Sequence, residues 1–290
     1  MKERNTTLLL EIIAIVLFIL YMLPFAMVLI NSSKPTLKII VDPLAFPDNP
    51  LQLFTNIKAI VSNPNIRYFS SFFSSTVITL SSVCLLVLIT SMAAWVLVRT
   101  KTMISNLIFM MFVAAMVIPF QVVMFPLVNW FHLIEVKLGL LRTPFRLLQN
   151  YPGMILAYLG FGSSFSMFLF HGFIKSVPVE LEESATIDGC SKPAVFFRIV
   201  FPLLAPIIVT VIILNGIWIW NDYLLPLLVL SVGSPAQTLP IAVASFVGSF
   251  VKRWDLILTA TLMAMLPIII VFLILQKYMI KGIMEGSIKG

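Results

Sequence analysis

Apolar runs of about 20 residues recur along this chain, each long enough to cross a hydrocarbon layer of ~30 Å at ~1.5 Å per helical residue. Lipid offers no partner to a free backbone N–H or C=O, so only helices or a closed barrel can occupy such runs. The alternating pattern of a membrane barrel is absent. The chain is therefore read as an all-α, multi-pass membrane protein. Composition agrees: 60% of residues are apolar and 11% charged, against roughly 25% charged in a soluble domain.

Six spans are predicted, over Leu8–Ile30, Phe72–Val98, Ile104–Phe131, Met154–Ile174, Ile199–Leu230 and Leu256–Ile280. This divides the chain into a first span with its following loop (1–71), a core (72–280) and a tail (281–290). The loop after the first span, Asn31–Ser71, is polar, carries Pro35, Pro43, Pro47, Pro50 and Pro64, and reads as extracytoplasmic. Between the third and fourth spans, His132–Pro152 mixes Lys137, Arg142 and Arg146 with leucines. It fits a helix lying in the interface or a basic loop packed on the bundle. Pro119 and Pro126 in the third span, and Pro202 and Pro206 in the fifth, should bend their helices. Gly160, Gly162, Ser163, Ser164 and Ser166 permit close packing of the fourth.

The net charge of +7 is carried in short loops between spans, which points to charges flanking a bilayer and away from nucleic acid. Orientation does not follow from it. Ten of the 19 basic residues (Lys2, Arg4, Arg99, Lys101, Lys175, Lys192, Arg198, Lys277, Lys281 and Lys289) fall on the side of the N-terminus, too even a division for the positive-inside rule to decide. Cys84 and Cys190 make no disulfide framework, and His132 and His171 lack ligand neighbours, so neither a metal nor another cofactor is expected. The first apolar run is too long for a cleavable signal and lacks a small-residue exit. No internal repeat of the kind seen in many secondary carriers is present.

One charged insert interrupts the apolar runs, Val177–Gly189, and within it three of the chain's 12 acids, Glu180, Glu182 and Glu183, stand together. Pro178 suits a first helical turn, and acids there meet the positive end of the helix dipole. Gly189 can take the left-handed conformation that ends a helix, and Ser191 with Pro193 can start the next. The prediction is a short helix, a sharp glycine turn and a long helix entering the membrane. Leu181, Ala185 and Asp188 share a face, with Ala185 small enough for close approach by a partner backbone.

Glu183, Ser184, Ala185 and Gly189, followed by Ile199 and Pro202, resemble the EAA motif of ABC importer permeases, with Ser184 and Phe201 as mild departures. Trp220-Asn221-Asp222-Tyr223, Thr238-Leu239-Pro240, Leu266-Pro267 and the ending Lys281–Gly290 look like the MalG-like subunits of carbohydrate importers. The resemblance implies a type I ABC importer permease fold in a prokaryotic inner or plasma membrane, with both termini cytoplasmic. It implies four partners: a second, MalF-like permease, two ATPase subunits that hold ATP and Mg, and an extracytoplasmic solute-binding protein. The insert would couple to the ATPase through Glu183, Ser184, Ala185, Asp188, Gly189 and Pro202. In the tail, Gly286, Lys289 and Gly290 would reach the ATPase dimer. No phosphate-binding Gly-Lys-Ser/Thr loop is present, so the chain itself is not expected to be an enzyme.

Polar groups inside spans are costly and point to function. In the fifth span Asn215, Trp218 and Asp222 fall on one helical face, combining amide, indole and carboxylate; with Asn221 they are the candidate sugar path. Trp220 points elsewhere and reads as an interfacial anchor. A self-sufficient secondary transporter would need acids at mid-membrane, and only Asp222 comes near. An ABC importer of amino acids or glycerol phosphate stays open as the alternative to a sugar importer.

Overall fold

All regular structure among the described residues is helical, and the apolar runs dictate where it lies. The structure is a computed structural model and describes residues 2–64, 67–231, 234, 236–246 and 253–287. Its helices are α1 (Lys2–Asn31), α2 (Thr36–Val41), α3 (Gln52–Val61), α4 (Tyr68–Thr100), α5 (Met103–Ala115), α6 (Phe120–Lys137) and α7 (Tyr151–Ile174). The chain continues through α8 (Glu180–Ile187), α9 (Lys192–Val195), α10 (Phe201–Leu203), α11 (Ala205–Asn221), α12 (Leu224–Val229), α13 (Leu239–Ala244) and α14 (Trp254–Ser287). Four helices among the described residues are long and apolar enough to span a membrane unaided, or up to six spans if each of two bent helix pairs forms one.

The bends show which prolines act. α5 and α6 meet at 105°. Here Met116, Val117 and Ile118 donate to carbonyls three residues back, tightening the turn, and Pro119 at the N-cap of α6 has no N–H to continue it. Pro126 lies inside α6 without ending the helix. The expected bend is thus concentrated at Pro119.

After α6 the chain does not form a long interfacial helix. Gly139 adopts φ +66°, a single 3₁₀ turn follows at Leu140–Arg142, and the segment then runs irregularly to Asn150, whose side chain accepts from Tyr151 N. The packed-loop alternative is the one realised. Its anchor is Glu135, fully buried, whose Oε1 accepts from the backbone amides of Leu147 and Leu148 at 2.6 Å each. The Arg146 guanidinium stands 3.8 Å away.

The chain divides into two compact units, Met1–Phe69 with Ala242–Pro267, and Ser70–Ile241 with Ile268–Gly290. The first joins α1 and the loop after it to the start of α14, because polar side chains there find each other. Thr36 Oγ1 donates to Asp255 Oδ1 at 2.7 Å, and the Thr259 hydroxyl and Asn56 amide both donate to Ser32 O. Lys34 is fully buried, its Nζ donating to Asn31 Oδ1, Asp42 O and Pro43 O at 3.0–3.2 Å. A buried ammonium is tolerable only when its three N–H groups have acceptors, and here they do. The loop that reads as merely polar and proline-rich is a built polar knot with two helices.

The core of the second unit lies among α4, α7, α11 and α12, around Leu86, Met154, Tyr158, Phe170, Val200, Val211 and Leu225. A Cβ on Gly162 would stand 2.7 Å from Leu86 Cδ1, so glycine is what lets α7 approach α4. Trp220 is buried edge-on against Phe72 of α4, with centroids 5.8 Å apart, and is a packing residue here instead of an interfacial anchor.

Glu135→Ala should strand two buried amides and cost roughly 2–4 kcal/mol. Thermal unfolding in detergent checks this, with Glu135→Gln, which keeps an acceptor, expected to lose less.

Candidate functional site

The charged insert forms the predicted short helix and glycine turn, but the long helix expected after them is interrupted by a π-turn and a 74° bend. α8 covers Glu180–Ile187, with all three glutamates in its first turn. Its end is a Schellman motif: Cys190 N donates to Ala185 O and Gly189 N to Thr186 O, with Gly189 at φ +85°. A Cβ on Gly189 would meet no atom, so the requirement for glycine is conformational and not steric. Ser191 occupies the N-cap position of α9 with Pro193 in the first turn, although its side chain makes no capping bond.

The three glutamates differ in what they face. Glu182 is buried at 7% exposure. Its Oε1 accepts from Arg99 Nε at 2.9 Å and Nη2 at 2.7 Å, and its Oε2 from Trp95 Nε1 at 2.8 Å. Arg99 Nη2 also donates to Val177 O at 3.0 Å. The last turn of α4 therefore grips both α8 and the stretch of chain entering it. Glu180 and Glu183 are exposed. Sequence alone groups the three as equivalent and misses Glu182 as the anchor, with Arg99 and Trp95 as its partners.

The motif residues fall on two sides of α8. Ala185 is buried in this chain's own core, so its small side chain seats α8 on the bundle. Glu183, Ser184, Ile187 and Asp188 are exposed, Ile187 at 86%. The Ser184 hydroxyl donates back to Glu180 O. A cleft of about 840 Å³ lies between the end of α4, α8 and α9, lined among others by Arg99, Glu183, Ile187 and Lys192.

Behind the glycine turn the helix widens. Phe196–Val200 is a π-turn, and Phe201 N donates to Phe196 O, five residues back. Pro202 follows. A proline ring collides with the carbonyl four residues before it, and a widened turn makes room for it. Leu204 N then shares its bond between Val200 O and Phe201 O, and α11 departs at 74° with Pro206 in its first turn. Trp95 packs on Phe196 of the π-turn, centroids 5.3 Å apart, so one indole touches both α8 and the bend.

Asn215, Trp218 and Asp222 do share one face of α11, and that face turns to α7. Asn215 is 3% exposed, donating to Ser166 Oγ and to Val211 O. Trp218 stands edge-on to Tyr158 at 5.4 Å and remains 39% exposed. Asp222 accepts from Tyr158 Oη through Oδ2 and from Leu224 N through Oδ1, both at 3.0 Å. Asn221 is exposed, its amide donating to Ile217 O. Tyr158, which no sequence pattern singles out, joins the group. Gly286 lies in the helical backbone of α14, whereas Lys289 and Gly290 lie outside the described residues. No cluster of metal-ligating side chains occurs among the described residues.

Breaking a buried ion pair costs about 3–5 kcal/mol, and the partial exposure of Arg99 places Glu182→Ala at the lower end. Backbone hydrogen exchange should speed up across 180–187 and stay unchanged in the centre of α7. Glu183→Ala, which removes an exposed carboxylate, should leave both protected.

The chain is similar to known proteins over most of its length. The family described as binding-protein-dependent transport system inner membrane component matches residues 86–285. The probable starch degradation products transport system permease protein AmyC of Thermoanaerobacterium thermosulfurigenes is 38% identical, over 97% of this chain and 96% of its own length. The multiple sugar-binding transport system permease protein MsmG of Streptococcus mutans is 34% identical over 93% of each chain. The arabinooligosaccharides transport system permease protein AraQ of Bacillus subtilis is 31% identical over 94% of this chain and 92% of its own length. In fold, the chain matches a crystal structure of a bacterial ABC transporter involved in the import of the acidic polysaccharide alginate. The TM-score is 0.76 at 16% identity, covering 96% of this chain and 97% of that one. The chain belongs to the binding-protein-dependent transport system inner membrane components, the non-catalytic permease subunits of ABC importers.

Proposed function

We propose that this permease subunit serves a carbohydrate importer and that α8 is its contact with the ATPase. The observation carrying the second half is the division of α8 into two faces. Glu182 and Ala185 lock it to the bundle, while Glu183, Ser184, Ile187 and Asp188 are left exposed on a helix too short to be stable alone. A rigid, solvent-facing rod fastened to α4 and joined to α11 through the glycine turn and the bend at Leu204 is suited to convert displacement of a docked subunit into tilting of spans. Gly189, the π-turn and Pro202 form the joint through which that displacement passes.

The carbohydrate reading draws on the relatives, whose names speak of starch degradation products, multiple sugars and arabinooligosaccharides. Trp218 is compatible with it: a partly exposed aromatic face beside a carboxylate suits a ligand with C–H faces and a rim of hydroxyls. The candidate path here is Trp218 with Asn221 and Asp222. Asn215 is better read as a polar link between α7 and α11 than as a lining residue. In this reading α8 and both termini face the cytoplasm. The tail at Gly286, Lys289 and Gly290 reaches the ATPase subunits, which hold ATP and Mg. A MalF-like permease completes the path, and an extracytoplasmic solute-binding protein delivers the sugar.

In the assembled importer with Cys190 replaced by serine, Ile187→Cys should form a crosslink to the ATPase subunit. Failure to capture it from that exposed position would remove α8 as the contact. Gly189→Val should abolish transport with the spans still inserted, since a β-branched residue resists positive φ, whereas Gly189→Asn should retain much of it. Uptake in proteoliposomes distinguishes the two. Trp218→Ala should shift the sugar dose response of ATPase stimulation to higher concentration, and an unchanged curve would take Trp218 out of the path.

A further inference from the structure

A second pocket, of about 410 Å³, lies beside the first and serves none of the roles above. It opens where α4 and α7 end and α5 begins, lined by Leu97, Val98, Arg99, Lys101, Asn106, His171 and Lys175. None of these is an acid. Arg99 is neutralised by Glu182, but Lys101 and Lys175 are exposed and make no ion pair or side-chain hydrogen bond with described residues. His171 is 6% exposed, held flat on Phe109 with centroids 3.6 Å apart, and its ring nitrogens have no hydrogen-bond partner among the described residues. The Asn106 side chain likewise has none among them. The pocket thus combines two free ammonium groups, an amide and a ring-fixed imidazole, with Leu97 and Val98 as apolar wall.

Its level in the bundle selects the ligand. Lys101 follows the last residue of α4 and Lys175 that of α7, both spans, so the pocket sits at the edge of the apolar layer. Unpaired lysines at that depth, between helices, match the phosphate of a lipid whose chains lie alongside. We propose that this pocket binds the phosphate of an anionic phospholipid headgroup, with Lys101 and Lys175 supplying charge and His171 and Asn106 supplying directed polar contacts. The site touches the anchor of α8 through Arg99, so a lipid there would brace the end of α4 to which α8 is fastened. The proposal requires only that the chain spans a bilayer and does not depend on the transported solute.

The test is native mass spectrometry and spin-label lipid titration on the assembled importer in nanodiscs containing phosphatidylglycerol or phosphatidylcholine. Wild type should retain phosphatidylglycerol in preference. Lys101→Gln and Lys175→Gln should each weaken that preference about fivefold, and the pair on the order of thirtyfold. Lys137→Gln, an exposed lysine outside the pocket, should leave it unchanged. Inorganic phosphate at millimolar concentration should not displace the lipid. Equal retention of both lipids, an effect of Lys137→Gln as large as that of Lys101→Gln, or displacement by free phosphate would each overturn the assignment.

Discussion

The salt link between Arg99 and Glu182, completed by the Trp95 indole, is the constraint on which the placement of α8 depends. α8 has eight residues, too few to hold helical form by propensity alone. What holds it is a carboxylate with both oxygens engaged by α4, an alanine pressed into the core, and a Schellman turn that satisfies its last carbonyls. A buried ion pair is not by itself a large source of stability, because desolvation offsets most of the attraction. Its value here is directional. A guanidinium fork and an indole N–H fix the carboxylate at three points, so α8 can move only if the end of α4 moves with it.

Much of this is legible in the residues, and the part that is not has a consistent cause. Local chemistry determines that 180–187 is helical, that Gly189 turns the chain and that Pro193 opens the next element, because each rests on neighbours in sequence. Nothing local separates Glu182 from Glu180 and Glu183. The distinction is made by Arg99, 83 residues earlier. Asn215, Trp218 and Asp222 illustrate the same limit. Helical spacing establishes that they share a face, and it says nothing about which helix covers that face. Tyr158 and Ser166 do so here, turning an apparent pore stripe into a seam with one open edge at Trp218. Lys34 and Glu135 are invisible for a related reason: a buried charge looks like a surface charge until its acceptors or donors are located.

Prolines teach a second lesson about local rules. By residue type alone, four of them bend the third and fifth spans. Pro119 stands at the start of α6, after a tightened turn has already closed α5, while Pro126 sits inside α6 without ending it. Pro202 is accommodated by the π-turn at Phe196–Val200, and the 74° change of direction appears two residues later, at Leu204, with Pro206 behind it. A proline removes one donor and adds one clash, and the consequence depends on whether the preceding turn has already been rearranged to absorb them. In the fifth span the rearrangement is shared with the Trp95–Phe196 contact, which ties the position of the bend to the same indole that holds α8.

That shared indole narrows how the chain can move. If α8 were free, displacement at its exposed face would dissipate in rotation about Gly189. Glu182 opposes that rotation on one side and the packed Phe196 on the other, so under the proposed coupling α4, α8 and the first part of the fifth span would move together. The open edge of α11 would follow only through the bend at Leu204, with Tyr158 keeping Trp218 and Asp222 in register with α7. Were Trp218 to line the path as proposed, its indole would already be oriented by Tyr158, and binding would leave little ordering cost to meet. Glu182 in α8 and Trp218 in α11 are thus held by the same physical device, side chains clamped by helices from elsewhere in the chain, one before the bent fifth span and one near its end.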